Sequence, residues 1–110
     1  MVPLRGPLVS VAALAEALGG PAPPVVVDCG FDLADPEAGR RAHAAGHIPG
    51  ALYAHLDEMM SAAKTGRNGR HPLPTREAFA ERMAALGSGD GDTVVAYDAA
   101  GGVYAARLWW

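Results

Sequence analysis

Asp98 stands where a strand gives way to a glycine-containing loop and then to a helix, in the stretch VVAYDAAGGVYAARLWW that runs from Val94 to Trp110. In open α/β sheets the ligand site lies beyond the carboxyl ends of the strands, where successive backbone N–H groups and a helix N-terminus favour an anion. A cysteine at such a mouth becomes a stabilised thiolate. An aspartate there competes for the same N–H groups and repels an anionic substrate, so the cradle is expected to be filled by its own chain. Asp98 then either caps the following helix or takes part in chemistry itself. The single cysteine, Cys29, follows a valine run in PVVVDCG. It reads as a small core residue or, alternatively, as a sulfur acceptor, although a reactive thiolate needs an electropositive, accessible setting that this run does not provide. One cysteine excludes an internal disulfide framework and cannot supply a zinc site alone, so neither a metal nor a cofactor is expected.

Punctuation by Gly, Pro and capping residues sets out the elements that must position these groups. Ser10 is placed to cap a helix through VAALAEAL, which Gly19, Gly20 and the prolines beyond them stop. Three successive valines make PVVVDCG a strand buried on both faces. Asp35, with Pro36 in the first turn and Glu37 near the positive helix end, starts a second helix that runs to Gly46. HIPGAL is a turn feeding a short strand, and SAAKTGRNGRHPLP has the composition of a surface loop. Thr75 caps REAFAERMAAL, Gly87 closes it, GDGD is a turn and TVVAY a second buried strand. The alternation predicts an α/β fold with a mostly parallel sheet flanked by helices, in one domain over residues 1–110 without internal repeats.

Composition narrows the function classes. The chain has 110 residues, half of them apolar, enough for one small core. A formal charge of −3 with mixed signs provides no clustered cationic face for nucleic acid or a membrane surface. The opening MVPLRGPLVSVAALAEAL has neither a secretory apolar region nor a membrane span, so a cytoplasmic protein is expected. The final helix lacks a capping residue, and Leu108, Trp109 and Trp110 are expected to expose apolar surface that a continuing chain would cover.

AGHIPGAL, RHPLP followed by a Phe-containing helix, GDTVVAYD and YAARLWW, in this order and spacing, resemble the N-terminal domain of two-domain thiosulfate and 3-mercaptopyruvate sulfurtransferases of the rhodanese family. The resemblance covers Leu8 to Trp110. It implies a rhodanese-like fold in which the catalytic cysteine belongs to a C-terminal domain of the same polypeptide, the partner of this one, and small anionic sulfur donors are the substrates. Asp98 matches the aspartate that N-terminal domains of the family carry in place of that cysteine. His71 in RHPLP and Asp57 in ALYAHLDE match a histidine and an aspartate proposed in mercaptopyruvate-type members to form a proton relay with a serine of the catalytic loop. Histidine exchanges a proton near neutral pH and a carboxylate fixes its tautomer. The alternative for His71 is a loop histidine bonded to local backbone. Val103 and Tyr104 match apolar positions that face the partner domain's active site, with ordinary helix packing as the alternative. His47 is expected to hold local backbone in the HIPG turn.

The match has departures. His43 occupies a position where the family usually has an aromatic residue, and Asp28-Cys29-Gly30 departs from the usual segment after the first strand. Arg40, Arg41, Arg67 and Arg70 read as solvated charges, with attraction of an anionic donor secondary. Three function classes follow: a non-catalytic half of a sulfurtransferase, a self-sufficient enzyme using Cys29, and a stand-alone anion-binding or interaction module.

Overall fold

The computed structural model describes residues 8–62, 65, 72–87 and 92–109. Three strands, β1 (Val25–Asp28), β2 (Leu52–Tyr53) and β3 (Val94–Tyr97), alternate with four helices, α1 (Val11–Leu18), α2 (Ala38–Ala45), α3 (Arg76–Leu86) and α4 (Val103–Trp109). The sheet is parallel throughout, in the order β2-β1-β3. Val27 pairs with Leu52 and Asp28 with Tyr53 on one side of β1, while Val25 to Asp28 pair with Val94 to Tyr97 on the other. Because the strands run in parallel, the loops after Asp28, Tyr53 and Tyr97 all leave the sheet at one end. This end holds the candidate site.

The valine run lies where its composition predicts. β1 is central, and Val26 and Val27 are buried together with Cys29 just beyond. β3 departs from the expectation of a fully buried strand: Val94 is 38% exposed and the rest of the strand is half-buried. Among the described residues it pairs only with β1, and an edge strand shields less of itself than a central one.

Local capping follows side-chain chemistry. Ser10 Oγ accepts the Ala13 N–H at 3.1 Å and Thr75 Oγ1 accepts the Ala78 N–H at 3.1 Å. α3 ends on Gly87 at φ 110°, a left-handed position that costs glycine little. α2 begins later than Asp35 suggests. Asp35 Oδ1 accepts the Glu37 N–H at 3.1 Å and its carbonyl accepts the Ala38 N–H at 3.0 Å. These bonds close a turn through Pro36 and Glu37, and the helix starts only after it.

The core joins the sheet to the loop after β2 and to α4. Val27, Cys29, Ala54, Leu56, Met59, Met60 and Leu108 form one buried cluster, with Phe31, Phe79, Met83 and Tyr104 packed against it. Leu108 is therefore buried, contrary to the expectation that it lies exposed at the chain's end. Its side chain belongs to the same buried cluster as Met60; Trp110 lies outside the described residues. α2 approaches the loop after β1 closely at Gly39, where a Cβ would fall 1.9 Å from the Gly30 carbonyl oxygen and 2.6 Å from the Tyr53 hydroxyl. Only glycine fits between them.

Candidate functional site

The loop from β3 to α4 is folded around one side chain. Asp98 Oδ1 accepts the N–H groups of Ala100 and Gly102, both at 2.8 Å, and Oδ2 accepts those of Tyr104 at 2.8 Å and Ala105 at 2.9 Å. Gly101 and Gly102 adopt φ of 72° and 94°, a left-handed pair that turns the amides inward and is strained for residues with a Cβ. Partial desolvation opposes the charge on Asp98, but the four donors outweigh it and hold the carboxyl below its ordinary 3.8. The carboxylate occupies the position where these amides would otherwise receive an anion.

A second layer lies beneath this loop. Asp28, 7% exposed, accepts the Gly30 N–H at 2.8 Å through Oδ1 and the Tyr97 hydroxyl at 3.3 Å through Oδ2. Tyr97 in turn accepts the Ile48 N–H at 3.2 Å, which ties the HIPG turn to β3. Tyr53 donates to the Gly30 carbonyl at 2.9 Å. Burial pushes the Tyr53 hydroxyl up to about 12. Cys29, fully buried, is likewise raised to about 12 by burial first and by the carboxylates of Asp28 and Asp98 second. Its thiol stays protonated at neutral pH, and this environment withholds the thiolate that a Cys29-based enzyme would need.

The loop after β2 presents Asp57. Its main-chain N–H donates to His55 Nδ1 at 3.1 Å, and its side chain is half-buried. His55 is 4% exposed; its Nε2 donates to the Pro36 carbonyl at 2.7 Å. The ring stands edge-on to Phe31, with centroids 5.4 Å apart, and to Tyr53 at 6.3 Å. Glu37 and Glu58 approach Nε2 at 3.9 Å and 3.8 Å. Arg40 binds both carboxylates, at 3.3 Å and 2.8 Å, so a guanidinium supplies the cation of this group while both ring nitrogens are already engaged. Arg41 pairs with Asp35. Arg40 and Arg41 thus carry surface ion pairs instead of free positive charge.

The remaining sequence candidates fall into place unevenly. His71, with Arg67 and Arg70, lies outside the described residues. Val103 is 66% exposed, whereas Tyr104 is half-buried with its ring 5.6 Å from Phe31. His47 Nδ1 donates to the His43 carbonyl at 2.6 Å, and the two imidazoles stack at 3.9 Å. His43 Nε2 donates to the Ala51 carbonyl at 2.8 Å, so a flat imidazole fills the place of an aromatic ring in the turn.

Sequence reasoning passed over His55, Arg82 and Arg107. Arg107 Nε and Nη2 donate to the Met60 carbonyl at 3.2 Å and 3.1 Å, and Arg82 Nη1 donates to those of Met59 at 3.3 Å and Ser61 at 2.8 Å. Two guanidinium groups thereby hold three successive carbonyls of the segment that follows Asp57. The signal for His55 was a polar residue inside the apolar run ALYAHL; the arginines carry no comparable local signal.

A parallel sheet with its built loops at one end, and a strand-loop-helix folded around Asp98, agree with the family match over residues 10–110, which is to the rhodanese-like domain. The chain belongs to that family. It is 44% identical over 87 residues to a probable 3-mercaptopyruvate sulfurtransferase of Pseudomonas aeruginosa, covering 78% of this chain and 31% of that protein. It is 38% identical over 111 aligned residues to the human 3-mercaptopyruvate sulfurtransferase, covering 94% of this chain and 36% of that protein. The solved 3-mercaptopyruvate sulfurtransferase of Leishmania major superposes with a TM-score of 0.72 at 31% identity, over 79% of this chain and 24% of that one. The matched part of this rhodanese-like chain thus spans between 16% and 36% of the length of the curated relatives. Among its described residues, no helix is long and apolar enough to cross a membrane.

Proposed function

We propose that this rhodanese-like domain is the non-catalytic N-terminal unit of a sulfurtransferase that moves sulfane sulfur from 3-mercaptopyruvate or thiosulfate to a thiophilic acceptor such as cyanide or a thiol. The observation that carries this is the Asp98 carboxylate with four N–H donors. The four amides that would stabilise a thiolate or receive an anionic donor at this mouth are already taken by the loop's own carboxylate. The same observation speaks against a stand-alone anion-binding module working through this loop. Sulfur is then carried by a cysteine of a C-terminal rhodanese domain of the same polypeptide, against which Val103 and Tyr104 face. The names of the relatives support the donor class.

Asp57 and His71 are the groups this unit contributes to turnover. The imidazole of His71 exchanges a proton with the ketonic donor's reacting group through the partner domain, and Asp57 orients that imidazole. Thiosulfate requires no such proton handling. In a polypeptide joining this domain to the cysteine-bearing domain, His71→Ala therefore lowers mercaptopyruvate turnover by about 10²–10⁴-fold while thiosulfate turnover falls far less. Equal and negligible losses with both donors would overturn the relay.

A further inference from the structure

Four aspartates of this chain each accept the N–H of the residue two places on: Asp28 from Gly30, Asp32 from Ala34, Asp35 from Glu37 and Asp98 from Ala100. A fifth turn has the same spacing with a different acceptor, since Asp57 donates to the imidazole of His55. We infer that His55 is a positioning residue for Asp57, a ring locked in one tautomer whose bare Nδ1 fixes the main chain that carries the carboxylate, and whose protonation releases it.

The tautomer follows from the partners. A carbonyl only accepts, so the 2.7 Å contact to Pro36 places the proton on Nε2. An amide N–H only donates, so Nδ1 must be bare to receive Asp57. Burial at 4% exposure and the edge contacts with Phe31 and Tyr53 keep the ring from turning to another pair of partners. The charged groups facing it are Glu37 and Glu58, 3.9 Å and 3.8 Å from Nε2, and Arg40, which is paired with both. The second proton can only go to Nδ1, where it meets the Asp57 N–H donor to donor. A carboxylate in the same role would keep its acceptor throughout the neutral range, whereas an imidazole is the side chain whose ordinary titration falls there. The Asp57 turn is therefore the one of the five whose bond is lost when its acceptor takes up a proton.

Contacts extend this coupling to the other loop. Phe31 touches both His55 and Tyr104, and Tyr104 donates its N–H to Asp98. The consequence for turnover rests on the proposed relay; the effect on the Asp57 main chain does not.

Two arms keep these apart. In the 15N-labelled 110-residue chain, His55 shows a protonated Nε2 and a bare Nδ1. As the imidazole titrates, the Asp57 amide signal moves upfield and its solvent exchange rises about tenfold, the loss of one hydrogen bond. His55→Asn, which can accept the same N–H, keeps the amide bonded and makes it indifferent to pH between 5 and 8. His55→Phe keeps a ring and loses the bond. A proton on Nδ1, or an Asp57 amide with the same pH response in wild type and His55→Asn, would overturn the inference. In the polypeptide joined to its cysteine-bearing domain, His55→Phe lowers kcat for mercaptopyruvate about tenfold with KM unchanged, and His55→Asn restores kcat while flattening the acid side of its pH profile. Intact amide behaviour with no change in turnover would instead overturn the relay through Asp57.

Discussion

The loop after β3 and the loop after β2 leave the same end of the sheet, and each is organised by one side chain that accepts main-chain N–H groups. Asp98 takes four and His55 takes one. Asp98 is only partly buried and charged, whereas His55 is buried and its geometry requires a neutral ring. The two loops are therefore suited to different tasks. Four donors saturate the Asp98 carboxylate, so these amides are already taken and the carboxyl is held ionised. One donor on an imidazole leaves a turn whose geometry follows the protonation of its acceptor.

Breaking the scaffold on the His55 side should have the largest effect. Gly39→Ala drives a Cβ into the Gly30 carbonyl and the Tyr53 hydroxyl, a backbone-on-backbone clash that relaxes only by moving α2. A loss of about 3 kcal/mol in urea unfolding is expected. A change below about 0.5 kcal/mol would show that α2 does not rest on that loop.

On the other side, Asp98→Ala leaves four N–H groups without their acceptor. Water reaches part of this loop, so the cost is that of a strong cap, about 2 kcal/mol. Asp98→Asn, which keeps one oxygen, should recover roughly half of it on the same scale. Equal stability of the alanine and wild-type chains would remove the basis for calling the cradle filled.

Acid acts on the Asp98 loop through its carboxyl. The Asp98 carboxyl is held below 3.8 in the folded chain, so it binds fewer protons folded than unfolded. Its contribution is present above about pH 4 and is lost as pH falls through the folded value. Unfolding free energies measured from pH 5 downward should fall less steeply in Asp98→Asn than in wild type. Unchanged steepness would mean that the donors do not favour the ionised form.

The smallest effect at neutral pH belongs to Cys29. With its thiol raised from 9.0 to about 12, the folded state holds its proton where the unfolded state has released it. Stability is therefore full below pH 9 and lost as pH climbs toward 12. Cys29→Ala should lose less stability over that range, and a thiol reagent should modify the wild-type chain at neutral pH only at its unfolding rate. Fast labelling of the folded chain would contradict the buried, protonated thiol.

Much of this architecture was legible in residue types, because its causes are local. Ser10, Thr75 and Gly87 act through their own turn, and three valines need burial wherever they fall. Asp98 was legible for the same reason, since strand, glycine loop and helix are contiguous and their amides have one place to point. β3 was less so: the burial of an apolar strand depends on how many neighbours pair with it. Asp35 misled because an aspartate that caps a helix also closes a turn, and only the N–H it receives tells the two apart. His55 could not be assigned from sequence because its partners, Pro36, Phe31 and the two glutamates, come from other segments. The three carbonyls held by Arg82 and Arg107 were hidden likewise, as each guanidinium reaches over 20 residues back along the chain.

The proposed non-catalytic role requires that this domain take up no sulfur itself, with Asp98 filling the cradle and Cys29 held as a buried thiol. The most direct measurement is the intact mass of the chain after incubation with thiosulfate or 3-mercaptopyruvate, read alongside thiocyanate formation when cyanide is added. An unchanged mass and no thiocyanate above the protein-free reaction are predicted. A gain of one sulfur atom on Cys29, with thiocyanate formation abolished in Cys29→Ser, would contradict it.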